Sequence, residues 1–357
     1  MNSPAHSPAP AAVSLWQLDA ARGAAACYIA AGHLCRDKLD VIVPGLRRLL
    51  DFGQEAVIVF FLLSGFVIHW STAHKPGLTF GAYLRARAVR IYPLFLLTLL
   101  LGLLLTQRQM PPDPRVSWPV FLGNVLMLQD WGTIKPGVWV DVYAGILVLW
   151  SLSYEWWFYM LYFPLSRKIN PPRQVWVVAA LSLSQAILYL WLPNQLSRFL
   201  LYFCIWWTGV ELARTKLAGQ PLRARAIGVS LGTMALVAAV LGCGVWRAAV
   251  TGAELRAGTH PFLELRHFLA ALLITGGALA WHRLHWAGFR TLFGGFVRLA
   301  PLTYAIYLLH EPIVLHGNPL GFIANVPLQT ALNAALVLLV AWLAEHYFQR
   351  WCRRLFL

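Results

Sequence analysis

Residues 90–106 read RIYPLFLLTLLLGLLLT, a run in which no charged side chain follows Arg90. Its length of 17 residues is close to what an α-helix needs to cross the hydrocarbon core of a bilayer. Similar apolar runs recur along the 357-residue chain, which is 59% hydrophobic and 12% charged. A soluble domain carries about 25% charged residues. The sequence therefore predicts an all-α, polytopic membrane helix bundle.

The apolar runs predict about ten transmembrane helices joined by short polar connections. Their predicted bounds are 15–35, 55–72, 90–106, 144–165, 174–192, 199–213, 227–246, 262–280, 295–316 and 327–347. The stretch 118–128 is apolar but too short to cross, and we interpret it as an interfacial or re-entrant piece. We expect 1–12 to be a disordered tail, 13–350 the membrane domain, and 351–357 a short, basic, cytoplasmic C-terminus.

The net charge of +15 comes from 29 Lys and Arg residues that are spread between the apolar runs. This distribution argues against a nucleic-acid partner, because no single polar domain gathers the charge. With the N-terminus inside, the cytoplasmic connections hold 16 Lys and Arg and no Asp or Glu. These connections are 73–90, 166–175, 213–226, 281–292 and 349–357. Because basic residues concentrate in cytoplasmic loops, both termini are predicted to be cytoplasmic.

The five cysteines are scattered and lack a Cys-x-x-Cys spacing. We therefore expect neither a disulfide framework nor a metal site. The chain ends just past the tenth apolar run, so we expect no fused soluble domain.

Ionisable residues inside apolar runs are costly, so each is a candidate for function. In the first run, Asp19 and Arg22 lie one helical turn apart and can pair. Arg22 and His33 share one helical face, about 16 Å apart along the axis, with Ala26 and Ala30 between them. That face suits a slot for a long, thin ligand. Alternatively, Asp19 and Arg22 only anchor the helix and His33 is a hydrogen-bonded bundle histidine.

Two further segments carry charged candidates. Arg87 and Arg90 are three residues apart at a helix start and suit phosphate oxygens, or else they flank a span and contact lipid phosphate. Ser151 and Glu155 lie on one face of the fourth run. A carboxylate in that setting must pair or stay protonated, and we expect Arg22 or a histidine as its partner.

Two more segments carry a packing site and a second histidine. Ser64 and Gly65 allow a neighbouring helix to approach closely. Thr303, Tyr307 and His310 fall on one face of the ninth run. His310 is either a hydrogen-bonded support or a reserve candidate for the catalytic base.

Five motifs occur in order from the first run to the ninth. They are Leu18-Asp19 with Arg22-Gly23 and His33, FFLLSGF at 60–66, Arg87-x-x-Arg90-Ile91-Tyr92-Pro93, WSLSYEWWFY at 150–159, and TYAIYLLHEP at 303–312. Together they resemble acyltransferase family three of the integral-membrane acyltransferases. The chain departs from the family pattern at Ala20, at Glu55-Ala56-Val57 before the FF motif, and at Glu311 after His310.

The resemblance implies an O-acyltransferase of a bacterial inner membrane that takes an acyl group, usually acetyl, from acetyl-CoA. The implied acceptors are hydroxyls of sugars, as in surface polysaccharides, glycolipids and macrolides. The implied catalytic residues are His33, Arg22 and Glu155. The residues expected to bind the donor are Arg85, Arg87 and Arg90. Supporting roles are expected for Asp19, Ser151, Ser153, Tyr307 and His310.

We expect the pantetheine arm to follow the small-residue face of the first span and to bring the thioester to His33. His33 then acts as general base or transiently accepts the acyl group. Transfer is direct, or a separate extracytoplasmic transferase completes it, and membrane lipid is the other expected partner. Two alternatives stay open: a transporter or flippase without chemistry, and a scaffolding subunit of an envelope-glycan machinery.

Overall fold

Helices make up 79% of the computed structural model, which describes residues 15–42, 46–106 and 113–356. The tail predicted at 1–12 lies outside these residues. The predicted all-α class is confirmed, and the helices pack side by side as a bundle. The shape and order of the helices explain where the candidate residues meet.

The α-helices are joined by short connections and by brief turns of 3-10 or π helix. Their bounds are α1 (Trp16–Ile42), α2 (Gly53–Thr72), α3 (Phe80–Thr106), α4 (Trp118–Val125), α5 (Trp150–Lys168), α6 (Pro171–Trp191), α7 (Gln195–Leu217), α8 (Gly228–Val250), α9 (Phe262–Arg283), α10 (Phe289–Phe293), α11 (Thr303–Glu311), α12 (Val326–Leu343) and α13 (Gln349–Phe356).

Three predicted boundaries differ from the observed ones by more than a few residues. Helix α1 ends at Ile42, whereas the run predicted an end at 35. Helix α3 begins at Phe80, about three turns before the apolar run, because its polar first part is rich in Ala, Leu and Arg, which favour helix. Helix α5 begins only at Trp150, whereas the run predicted a helix from 144. The preceding segment forms two short 3-10 turns, with Ala144 at a left-handed φ of 52°.

Seven segments of the described chain are long and apolar enough to cross a membrane. They are Arg48–Thr72, Phe80–Thr106, Pro171–Trp191, Ala224–Val250, Phe262–Arg283, Phe289–Gly317 and Val326–Phe356. The other three predicted spans coincide with α1, α5 and α7, which are long helices with more polar side chains. A polar helix is tolerated where other helices surround it. A membrane helix bundle is therefore supported, and the count of ten stays a prediction.

Helix α7 lies in the middle of the bundle and is buried along most of its length. Its aromatic side chains Phe203 and Trp206 stack with ring centroids 5.8 Å apart, and Phe158 of α5 packs 5.6 Å from Phe203. Aromatic rings of this kind bury a large area in a fixed geometry. This aromatic core holds α5 and α7 in the positions that shape the cavities described below.

Helices α2 and α7 touch through glycine. A Cβ atom on Gly65 would lie 2.0 Å from the carbonyl oxygen of Trp206, and one on Gly209 would lie 2.0 Å from that of Leu62. No side chain fits between the two backbones at these points. The close approach predicted for Gly65 is therefore confirmed.

We expect the substitution Gly65→Ala to destabilise the bundle, because the added methyl group would collide with backbone and not with a movable side chain. Overpacking of this kind typically costs ~1–3 kcal/mol. The measurement is the thermal unfolding midpoint of the purified protein in detergent. Gly232→Ala in α8 is the matched control, since a Cβ there meets nothing within 4 Å. Equal midpoints for the two variants would contradict this account of the α2–α7 contact.

The ninth predicted span is not one continuous α-helix. Residues Gly294–Leu302 form a 3-10 helix, α11 follows, and a π-helical turn at Pro312–Gly317 ends the segment. Proline lacks an N–H group, which explains why α11 stops before Pro312, as its position indicated. The 3-10 helix lies against α1, since a Cβ on Gly23 would sit 2.2 Å from the carbonyl oxygen of Phe296.

The stretch predicted to be interfacial forms α4, which is too short to cross a membrane. Its buried Asn124 binds the following loop, donating to the carbonyl of Asp141 (2.9 Å) and accepting from the N–H of Tyr143 (3.1 Å). In that loop, the two-residue strands β1 (Gln129–Asp130) and β2 (Val140–Asp141) pair in parallel. The loop between α4 and α5 is thus a folded part of the bundle end.

Candidate active site

A cavity of about 180 Å³ lies among α1, α2, α3, α5 and α11, and we name it the arginine cavity. It collects polar residues that are far apart in the sequence. Those that line it are Arg22, Ser64, Arg87, Arg90, Ser151, Glu155, Tyr159, Thr303, Tyr304 and Tyr307. Six of the eleven residues predicted to be functional therefore meet at one cavity.

A second cavity, of about 130 Å³, contains His33 and is named the histidine cavity. Its other polar and aromatic lining residues are Asp51, Gln54, Trp131, Trp150 and Tyr307. Val57 and Tyr307 line both cavities. The two cavities therefore adjoin at these two side chains.

The predicted slot along α1 is wrong. Arg22 and His33 do lie on one side of α1, but they line different cavities, and Ala26 and Ala30 between them are 0% and 6% exposed. Small side chains let neighbouring helices approach closely, and here they are used for packing. A ligand that reached from Arg22 to His33 would pass Val57 instead.

The predicted pair of Asp19 and Arg22 is present as a long, half-exposed ion pair of 3.8 Å. Such a pair contributes little to stability. Arg22 also lines the arginine cavity, so the pair places its guanidinium at the cavity wall.

His33 and His310 form a histidine dyad, with His310 Nε2 3.2 Å from His33 Nδ1. His310 is fully buried, and its Nδ1 lies 2.9 Å from the carbonyl oxygen of Ile306. A carbonyl only accepts, so His310 Nδ1 carries a proton. When both rings are neutral, His310 Nε2 has no proton and accepts a hydrogen bond from His33 Nδ1. Because the proton of His33 is on Nδ1, its basic lone pair lies on Nε2. The dyad sets the tautomer of His33.

Glu155 does not pair as expected. Its Oε1 accepts from the hydroxyl of Ser64 at 2.7 Å and from the hydroxyl of Tyr159, and none of the described residues provides it with the ion pair expected from Arg22 or a histidine. Hydroxyl donors satisfy a partly buried carboxylate without the cost of burying a second charge. Glu155 lies in the wall of the arginine cavity all the same.

The three arginines expected to bind the donor occupy different settings. Arg90 binds both carboxylate oxygens of Glu345 at 2.9 Å, while Arg87 lines the cavity with an Nε that has no hydrogen-bond partner among the described residues. Arg85 donates to the carbonyl of Phe356 in α13 and does not line the cavity. Of these three, Arg87 and Arg90 line the cavity, and Arg90 is already paired with an acid.

Tyr307 and Ser151 mark the boundary between the two cavities. Their hydroxyl oxygens lie 2.7 Å apart, and Tyr307 also donates to the carbonyl of Val148 at 2.9 Å. Ser153, by contrast, is fully buried, donates to the carbonyl of Trp150 at 2.8 Å, and lines neither cavity. The side chain of Ser153 therefore makes a hydrogen bond within its own helix and does not contribute to either cavity.

Glu311, which departs from the family pattern in the sequence, shapes the site. Its two carboxylate oxygens accept from the backbone N–H groups of Leu147 and Val148, both at 2.9 Å. These bonds hold the 3-10 turn that forms one wall of the histidine cavity. The sequence feature that could have indicated this role is an acidic residue next to His310 within an apolar run.

A buried charge cluster beside the histidine cavity was also missed. Asp130 binds Lys135 at 2.7 Å, Arg198 at 3.1 Å and the hydroxyl of Tyr154 at 2.7 Å. Lys135 Nζ lies 3.6 Å from the ring centre of Trp150, which lines the cavity. Burial lowers the pKa of Lys135 below its usual value, against the opposing effect of Asp130. The cluster fixes one wall of the cavity.

The family model of the acyltransferase domain matches residues 15–346. The chain therefore belongs to this family of membrane acyltransferases, as its motifs indicated. It is 30% identical to the acyltransferase MdmB of Streptomyces mycarofaciens, in an alignment that covers 83% of this chain and 76% of the relative. No solved structure matches the chain significantly.

Proposed function

We propose that this protein is an O-acyltransferase that moves an acyl group, most commonly acetyl, from acyl-CoA to a hydroxyl of a sugar in a glycan or glycolipid. The observation that carries the proposal is the junction of the two cavities at Val57 and Tyr307. Three arginines lie in the cavity on one side, and the histidine dyad lies on the other. A donor and an acceptor can thus approach one reaction centre from different directions.

The proposed donor site is the arginine cavity. Guanidinium groups bind phosphate oxygens through paired N–H donors, and Arg87 lines the cavity and has a buried Nε without a hydrogen-bond partner among the described residues. The pantetheine arm would run between α2, α5 and α11, past Ser64 and Glu155, toward Tyr307. This route replaces the one along α1 that the spacing of small residues predicted.

The proposed reaction is a single acyl transfer. The acceptor hydroxyl attacks the thioester carbon while His33 Nε2 takes its proton. The tetrahedral intermediate then collapses, the C–S bond breaks, and the coenzyme A thiolate leaves with the proton from His33. Tyr307 donates its one proton to the carbonyl of Val148, and Ser151 lies 2.7 Å from the Tyr307 oxygen and donates to it. We assign the oxyanion contact to Ser151, whose hydroxyl would turn from Tyr307 toward the thioester oxygen.

We also propose ten spans with both termini cytoplasmic, in a bacterial inner membrane. The support is the excess of basic residues in one set of connections, which includes 73–90, next to the proposed donor site. Donor phosphates would then bind on the cytoplasmic side. Direct transfer to the acceptor is the simpler scheme, and a separate extracytoplasmic transferase is the alternative.

The test is acyl transfer by the purified protein in lipid nanodiscs. Radiolabelled acetyl-CoA is supplied with sugar acceptors, and both the free thiol of coenzyme A and labelled product are measured. An enzyme should release thiol in proportion to labelled acceptor. A transporter or a scaffolding subunit would bind ligands without any thioester cleavage, and that result across acceptors and acyl chain lengths would contradict the proposal.

We expect Arg87→Ala to weaken coenzyme A binding strongly, because a charge-assisted hydrogen bond contributes about 1.5–3 kcal/mol, or roughly 10–100-fold in Kd. Arg85→Ala is the matched control, since Arg85 lies two residues away and outside the cavity. The measurement is isothermal titration of the purified variants with coenzyme A. Equal affinity for the Arg87 variant and wild type would contradict donor binding by Arg87 and would leave it only its contribution to the positive charge of the connection 73–90.

A further inference from the structure

A third cavity, the largest of the three described, opens along the side of the bundle. This lateral groove has a volume of about 780 Å³ and is lined by α1, α2, α9, α10 and the following 3-10 helix. Its volume is in the range of sites that hold small organic ligands. The α1 residues that line it are different from Arg22 and His33. The groove adjoins the arginine cavity at Leu63, which lines both, but none of the residues proposed for acyl transfer lines it.

The length of the groove fits one hydrocarbon chain. It follows α1 from Gln17 to Ala31, which spans about 21 Å of helix axis. One leaflet of a bilayer is roughly 15 Å thick in its hydrocarbon part. The wall is almost entirely apolar, with Ala21, Leu63 and Ile274 among its residues. The groove is thus longer than the hydrocarbon part of one leaflet and as apolar, so it can hold one acyl chain.

One end of the groove is closed by a cluster of aromatic rings. The ring of Phe289 lies 4.9 Å from Trp281, 5.0 Å from Trp286 and 4.9 Å from Phe293, measured between centroids. All four side chains line the groove. Indole rings prefer the level of the lipid headgroups. This end therefore lies where a lipid headgroup would be.

The same segment carries positive charge and no negative charge. Arg283, Arg290 and Arg298 are exposed and alternate with the aromatic residues of the cluster. No Asp or Glu occurs between residues 265 and 310. Guanidinium groups bind phosphate oxygens, and basic side chains near a membrane are attracted to anionic lipids. The charge of this end complements an anionic headgroup.

We propose that the lateral groove binds one acyl chain of an anionic phospholipid from the leaflet next to the α9–α10 connection. Arg283, Arg290 and Arg298 hold the headgroup at the aromatic end, and the chain fills the space behind α1. The site uses none of the residues proposed for acyl transfer, and it gives the protein a lipid partner of defined chemistry.

Native mass spectrometry of the detergent-purified protein tests the proposal, with equal amounts of dioleoyl phosphatidylglycerol and dioleoyl phosphatidylcholine added. Wild type should retain one phosphatidylglycerol. The blocking variant is Gly277→Phe, because Gly277 lines the groove and a Cβ there meets nothing within 4 Å. Gly276→Phe is the matched control: it also has open space but does not line the groove.

The expected result is loss of the retained lipid in Gly277→Phe and its persistence in Gly276→Phe. Equal retention in the two variants would overturn the site. The triple change Arg283→Gln, Arg290→Gln and Arg298→Gln should remove the preference for phosphatidylglycerol over phosphatidylcholine. A preference that persists in this variant, or a second protein copy bound instead of lipid, would overturn the assigned occupant.

Discussion

His33→Ala should fold, enter the membrane and bind coenzyme A, yet lose nearly all acyl transfer. General-base assistance is typically worth ~10²–10⁴-fold in rate, and a sugar hydroxyl is a weak nucleophile without it. His33 is suited to this role because an unperturbed histidine exchanges its proton near neutral pH. The measurement is labelled product formed per minute at matched protein levels in nanodiscs.

His69→Ala is the matched control for this experiment. His69 also lies in a membrane helix and makes a hydrogen bond, 2.9 Å to the hydroxyl of Tyr162, but it lines neither cavity. Its loss should leave transfer close to normal. His310→Ala should fall between the two, because His310 orients His33 without receiving the acceptor proton. Near-normal transfer by the His33 variant would end the proposed mechanism.

The second large effect is on stability. Asp130→Ala should destabilise the bundle by ~3–5 kcal/mol, the usual cost of leaving a buried charge without its partner. Asp130 is fully buried between Lys135 and Arg198, and its removal would leave two cations facing each other. Burial by itself raises the pKa of Asp130, but these two charges hold it below its usual value, so the carboxylate is ionised.

The thermal unfolding midpoint in detergent measures this effect, and transfer activity should fall with it because the cluster supports Trp150. Glu254→Ala is the control, since Glu254 forms an ion pair with Arg256 in which both side chains are mostly exposed. That pair is screened by water, so its loss should leave the midpoint unchanged. Equal midpoints for the two variants would show that the Asp130 cluster carries no net stability.

The two predictions probe different consequences of one arrangement. The dyad places a base at the histidine cavity, and the charge cluster keeps the wall of that cavity in position. Because Trp150 lies between them, loss of the cluster should lower activity together with stability, whereas loss of His33 should lower activity alone. Measuring acyl transfer and the unfolding midpoint of both variants therefore distinguishes loss of the catalytic base from loss of the structural support for the cavity.

The sequence by itself determined the class of the fold and the candidate residues. Apolar runs of membrane length indicate helices buried in lipid. Inside a bilayer the backbone N–H and C=O groups cannot bond to water, so a single segment must satisfy them within its own helix. Charged residues inside or beside such runs are rare for the same reason, so Arg22, Arg87 and Glu155 stand out in the sequence alone. The motif order also identified the family, which the family model confirms.

Only the tertiary structure decided which of these residues touch. Helical spacing relates residues on one helix, but the partner of Glu155 depends on how α2 and α5 are placed relative to each other. Both helices pack on Trp206 of α7, α2 through Gly65 and α5 through Tyr159. The same limit explains why the sequence did not predict the His33–His310 contact. Pairing across 277 positions of sequence is decided by the shape of the whole bundle and not by any local pattern.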